Sequence, residues 1–108
     1  MVLVLIGLTA WLVEFARAEQ SHRCASAATE QARKLLTFHF GPDDRIEVAP
    51  LVKTLPSVRN PANRTQRFDV LEVWGYIYKG QYRMRFLYAQ QPGECLLMGQ
   101  EILEYSSL

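Results

Sequence analysis

The chain has 108 residues, of which 49% are hydrophobic and 21% are charged, and its formal net charge is +1. A chain of this length forms one domain, and this hydrophobic content excludes intrinsic disorder. The near-neutral charge provides no basic field for binding phosphates, so no nucleic-acid partner is expected.

The first 13 residues, MVLVLIGLTAWLV, carry no charged side chain, and the first charge is Glu14. An apolar run of this length is typical of the hydrophobic region of a signal peptide. Ala16 and Ala18 are small residues at the spacing that a signal peptidase requires, so cleavage would release a chain that begins at Glu19. We therefore predict a signal peptide at residues 1–18 and a single exported domain at residues 19–108.

A membrane anchor is the alternative interpretation of residues 1–18. No proline interrupts residues 2–38, so one long helix could run through Glu14 with its apolar half in lipid. The apolar run is, however, shorter than the ~20 residues that cross a bilayer upright. Both interpretations place the folded part outside the cytoplasm, in the periplasm or the extracellular space, and a membrane contact is expected only if this helix is retained.

The chain contains two cysteines, Cys24 and Cys95. An even number of cysteines in a small exported domain predicts one disulfide, with two buried free thiols as the alternative. His22 and Cys24 have the spacing of two metal ligands, but no second pair follows them, so neither a metal nor another cofactor is expected.

A helix is predicted from Glu19 to the turn at Gly41 and Pro42, because small and apolar residues recur on one helical face. This face is rich in alanine and suits close packing on a sheet; its members are Cys24, Ala25, Ala28, Ala32, Leu35 and Leu36.

The first strand is predicted at residues 45–52, where Ile46 and Val48 alternate with polar positions. Pro50 cannot donate a ladder hydrogen bond, so this strand should lie at an edge of the sheet or end there. The polar residues 56–66, PSVRNPANRTQ, predict a mobile loop.

The segment FDVLEVWGYIYKGQYRMRFLYA predicts a hairpin of two strands with a turn at Lys79 and Gly80. In that register one face is apolar and forms the core. The opposite face would set Tyr76 across from Arg83, Trp74 across from Arg85 and Glu72 across from Leu87.

Aromatic and arginine side chains thus share the face opposite the core. These residue types are enriched at binding hot spots, and the candidate binding residues are Trp74, Tyr76, Tyr78, Arg83 and Arg85. The alternative is a solvated face on which the same side chains stabilise the sheet.

A last strand is predicted at residues 95–105, with a bulge at Gly99 that brings Ile102 inward. The predicted fold is therefore an α+β domain of two layers, with one N-terminal helix on one face of a four-stranded antiparallel sheet; a curled sheet around the helix is the alternative. The layout of residues 19–108 resembles the cystatin-like arrangement, without the inhibitor motifs. The layout of the whole chain is similar to that of pilins, although its first acidic residue lies at the far end of the apolar run.

Catalytic constellations are not recognisable in the sequence, so we do not expect an enzyme. Two functions remain open. The first is an exported binding module with a protein partner, and the second is a membrane-anchored accessory subunit of a cell-envelope assembly. The sequence does not indicate the oligomeric state.

Overall fold

The computed structural model describes residues 22–105, and the two interpretations of residues 1–18 lie outside this range. One helix, α1 (Ala25–Phe40), is followed by four strands, β1 (Ile46–Asn60), β2 (Asn63–Ile77), β3 (Gly80–Ala89) and β4 (Leu97–Tyr105). The strands form one antiparallel sheet in the order β1-β2-β3-β4. The predicted α+β fold is confirmed.

The alanine-rich face of α1 packs against the sheet, as its spacing predicts. Its buried residues are Ala28, Ala32, Leu35 and Leu36. The helix ends at Phe40, and Gly41 follows with a positive φ of 78° that favours glycine. The start of α1 differs from the prediction. Residues 23 and 24 form a turn, so an unbroken helix over residues 2–38 is wrong at this point.

The β1–β2 hairpin is longer than predicted, and the mobile loop expected at residues 56–66 is wrong. Both strands continue through this segment and leave only Pro61 and Ala62 between them. Side chains join the two strands here, since Arg67 Nε donates to Ser57 Oγ at 3.0 Å. Register irregularities between Val48 and Val52, and between Leu55 and Val58, accommodate the two prolines of β1. The predicted edge position of this strand is confirmed.

The turn of the β2–β3 hairpin lies one residue earlier than predicted. Tyr78 and Lys79 form the turn, with Tyr78 at a positive φ of 55°, and Gly80 already pairs with Ile77. The predicted faces are correct, but every cross-strand pair is shifted by two residues. Gly80 serves close packing instead of the turn, because a Cβ there would lie 2.6 Å from the Tyr82 hydroxyl oxygen.

Strand β4 begins at Leu97, two residues later than predicted. The expected bulge is confirmed, because Leu87 pairs with Gly99 whereas the next residue, Tyr88, pairs with Leu97. This extra residue in β4 lets both Leu97 and Ile102 pack against the core. The predicted disulfide is also confirmed: Cys24 and Cys95 are bonded, with their Cα atoms 5.8 Å apart.

The core lies between α1 and the inner face of the sheet. Its largest fully buried side chains are Phe86, Leu36, Leu71, Met84, Val73 and Cys24. Gly75 lets the helix approach closely, since a Cβ there would lie 2.6 Å from Leu36 Cδ1. Over residues 22–105, no helix has the length and apolarity needed to span a membrane.

Candidate binding face of the sheet

The outer face of the sheet is the side opposite α1, and three of the five predicted binding residues meet there. Trp74 pairs directly with Arg83, and Arg85 lies two residues farther along β3. The prediction had opposed Trp74 to Arg85, and the different turn position accounts for the change. Trp74, Arg83 and Arg85 are each half-buried, so part of each side chain remains accessible to a partner.

Glu72 is the most buried charged residue of this face, with a side chain only 9% exposed. The Arg85 Nε donates to its Oε2 at 2.9 Å, and the Trp74 indole N–H donates to its Oε1 at 3.2 Å. A buried carboxylate requires such partners, since its desolvation otherwise costs several kcal/mol. The predicted pairing of Glu72 with Leu87 would have provided no partner, which gives a physical reason for the observed register.

Tyr105 completes the aromatic part of the outer face. Its ring meets the Trp74 ring edge-on, with the centroids 5.0 Å apart. The Arg83 Nη1 donates to the Tyr105 hydroxyl oxygen at 3.1 Å, and the guanidinium lies 5.8 Å from the centre of the tyrosine ring. Arg83 is therefore held against the Tyr105 side chain by a hydrogen bond and a cation–π contact, which fix its orientation.

The carboxylate of Glu101, on β4, lies near both arginines of β3 and offsets part of their positive charge. One of its carboxylate oxygens, Oε1, lies 3.7 Å from an Arg83 nitrogen and 3.8 Å from an Arg85 nitrogen. With Glu72, this cluster carries two positive and two negative charges, and β1 adds one of each sign to the face with Lys53 and Glu47. The face therefore has no surplus positive charge to attract phosphates.

Sequence reasoning missed three members of this face, Glu101, Leu103 and Tyr105, and it placed Glu72 here with the wrong partner. Leu103 and Tyr105 are 46% and 47% exposed, which makes them a half-open apolar patch beside Trp74. The alternation of β4 could have placed them there, because Leu103 pairs with Arg83 and Glu101 with Arg85. That placement depends on the position of the bulge at Gly99, because a bulge changes which residues of β4 face outward.

Tyr76 and Tyr78 do not join this cluster. Tyr78 lies in the turn and is 73% exposed, with the Arg45 guanidinium 5.6 Å from its ring centre. Arg45 also binds Asp43, and the hydrogen bonds from Arg45 lower the pKa of that carboxyl to about 2. Tyr76 pairs with Gln81 and, on its other side, with Glu47. These residues form a separate corner at the turn end of the sheet.

The disulfide end of the domain is held by polar contacts as well. Arg23 donates to the carbonyl oxygens of Gln91 and Gly93, and His22 Nε2 lies 2.9 Å from Asp69 Oδ2. Burial raises the pKa of Asp69, but hydrogen bonds from Gln90 and His22 outweigh it and leave that pKa below its ordinary value. A disulfide at this position is consistent with an oxidising, exported location.

Comparison with known proteins gives no relative: no family model, no curated protein and no solved structure matches the chain. Within residues 22–105, no group of three or more His, Cys, Asp or Glu side chains is arranged to hold a metal ion. A fixed array of rings, arginines and exposed apolar side chains is suited to binding.

Proposed function

We propose that the domain is an exported, non-enzymatic binding module that recognises a protein partner with the outer face of its sheet. The single observation that carries the proposal is the Trp74, Arg83 and Tyr105 cluster beside the half-exposed Leu103. Fixed aromatic and arginine side chains lose little conformational entropy on binding, so they contribute strongly to affinity.

Charge balance supports a protein partner. The glutamates already hydrogen-bond or face the arginines, so binding does not require a partner with a strong opposite charge. The apolar patch of Leu103 and Tyr105 provides the area to be buried.

Site-specific photo-crosslinking in the native host tests this proposal. A photoreactive residue at position 103 should crosslink to one discrete protein, and the yield should fall at least about fivefold in the Tyr105→Ala variant. The matched control is position 51, because Leu51 is also apolar and exposed but lies on β1. Equal crosslinking from both positions, or none from position 103, would overturn the proposal.

Export is part of the same proposal and has its own measurement. Intact mass of the chain recovered from the host should show a mature N-terminus at Glu19, as the predicted signal peptide requires. A chain that retains residues 1–18 in the detergent-extracted fraction would instead support the membrane-anchored alternative.

A further inference from the structure

The two edges of the sheet are protected very differently. The β1 edge contains Pro50 and Pro56 and three register irregularities, which interrupt the regular pattern that another strand would need. In contrast, β4 contains no proline and no lysine, and it pairs regularly with β3 from Glu101 to Tyr105. Within residues 22–105, β4 pairs only with β3, so its outer edge presents unpaired backbone groups.

A groove runs beside this edge, between β4 and α1. Its volume is about 460 Å³, and the helix contributes Leu35 and Phe38 to its apolar part. Ile102 lines it from β4. Gln31 Nε2 donates to Gln100 Oε1 at 3.0 Å and joins the two walls. Phe38 is 83% exposed, an unusual position for a phenylalanine that no partner covers.

An edge strand beside a helix-lined groove can bind an extended peptide by strand addition. The peptide backbone pairs with the edge, and alternate side chains enter the groove. Here every second side chain would face Phe38 and Ile102 and should be apolar. The side chains between them would lie on the outer face beside Glu101.

Charge identifies the occupant further. Strand β4 contains two exposed glutamates, Glu101 and Glu104, and no lysine or arginine, whereas Lys34 of α1 lines the groove side. A second copy of β4 would bring these glutamates together, which is unfavourable in a strand pair. We therefore propose that the β4 edge and the adjoining groove bind an extended protein segment in which apolar and basic residues alternate. The two sites share Glu101, but Phe38 and Ile102 belong only to the groove and Trp74 and Tyr105 only to the outer-face cluster, so either proposal can fail alone.

The probe is a labelled peptide, acetyl-Lys-Val-Lys-Val-Lys-Val-Lys-amide, titrated with the full chain and followed by fluorescence anisotropy. Binding should be saturable, and it should be lost when glutamate replaces lysine. In a strand, alternate N–H groups face the same neighbour, so N-methylation of either all valines or all lysines should weaken binding at least about tenfold. The other methylation pattern should have a much smaller effect.

Variants of the protein locate the site. Phe38→Ala should weaken peptide binding at least about fivefold without unfolding the domain, because this side chain is exposed. The matched control Leu51→Ala removes an exposed apolar side chain from the other edge and should change the affinity less than about twofold. Trp74→Ala removes a member of the outer-face cluster but no groove-lining side chain, so it should weaken peptide binding much less than Phe38→Ala does.

Four results would overturn the proposal. The first is no saturable binding at about 1 mM peptide, the weak end of specific affinity. The second is an equal effect of both N-methylation patterns. The third is a dimer, seen by sedimentation, that the peptide dissociates, since the occupant would then be a second copy. The fourth is slow hydrogen exchange of all β4 amides in the free chain, which would mean that the chain fills its own edge.

Discussion

The buried ion pair between Glu72 and Arg85 gives the sharpest stability test of the outer face. The two side chains are 9% and 33% exposed, and the Arg85 Nε lies 2.9 Å from Glu72 Oε2. Breaking a fully buried pair costs about 3 to 5 kcal/mol, because the remaining charge stays desolvated. Arg85 is one-third exposed, so we expect Arg85→Met to cost about 2 to 3 kcal/mol.

A double-mutant cycle separates the pair from its surroundings. Glu72→Leu combined with Arg85→Met removes both charges, so the double variant should lose less stability than the sum of the single variants, by about 1.5 to 3 kcal/mol. Urea unfolding at pH 7, followed by circular dichroism with the disulfide intact, measures this difference. With a slope of about 1 kcal/mol/M, Arg85→Met should lower the urea midpoint by about 2 M or more.

The exposed pair of Arg45 and Asp43 is the matched control. Its nitrogen–oxygen distance is 2.8 Å, almost the same as in the buried pair, but the Arg45 side chain is 59% exposed. Arg45→Met should therefore leave the urea midpoint nearly unchanged. A coupling below about 0.5 kcal/mol in the Glu72 cycle would refute the reasoning, because this is the range of solvated surface pairs.

Three further predictions concern the core, the pH response and the disulfide. Gly75→Ala should destabilise the domain by about 1 to 2 kcal/mol in urea unfolding, because its Cβ would meet a packed leucine and methionine. Gly99→Ala, whose Cβ would have its nearest neighbour at 3.9 Å, should be neutral; equal effects would contradict this account. The folded-state pKa of Asp69 is lowered, so the stability that this carboxylate contributes is present above its ordinary pKa and is lost as the pH falls through the lowered value. The Tm should therefore fall below about pH 4, and it should fall less in the Asp69→Asn variant. An equal fall of the Tm in both proteins would contradict this role of Asp69. Reduction of the disulfide, which links residues 71 apart, should cost at most about 4.4 kcal/mol, or roughly 20 to 35 °C in Tm by calorimetry. A Tm shift of only a few degrees would contradict this value, because it would mean that the unfolded reduced chain already keeps residues 24 and 95 close together.

The sequence predicts the architecture well because its strongest signals are local. The alanine face of α1, the glycine after it and the alternation of β2 and β3 each follow from neighbouring residues, and the structure agrees with them. The disulfide follows from the presence of two cysteines in a chain predicted to be exported, and Cys24 and Cys95 are bonded.

The errors arise where tertiary contacts decide between local alternatives. Gly80 favours a turn by residue type, but the Tyr82 ring and the burial of Glu72 select the register in which Tyr78 begins the turn. The prolines of residues 56–66 favour a loop, but an edge strand tolerates them at register irregularities. The candidate face was therefore predicted in part, since the contributions of β4 depend on a bulge whose position the sequence only suggests.

The disulfide between Cys24 and Cys95 joins the residue before α1 to the loop before β4, so its formation is tied to the folding of the whole domain. The strands pair in chain order, so the sheet can assemble from neighbouring hairpins before the sulfur atoms meet. Two cysteines allow only one bond within a chain, so an oxidising compartment can produce no scrambled monomer. Errors are confined to bonds between chains, and they depend on chain concentration. The yield of native protein should therefore depend on the expression level and not on a disulfide isomerase.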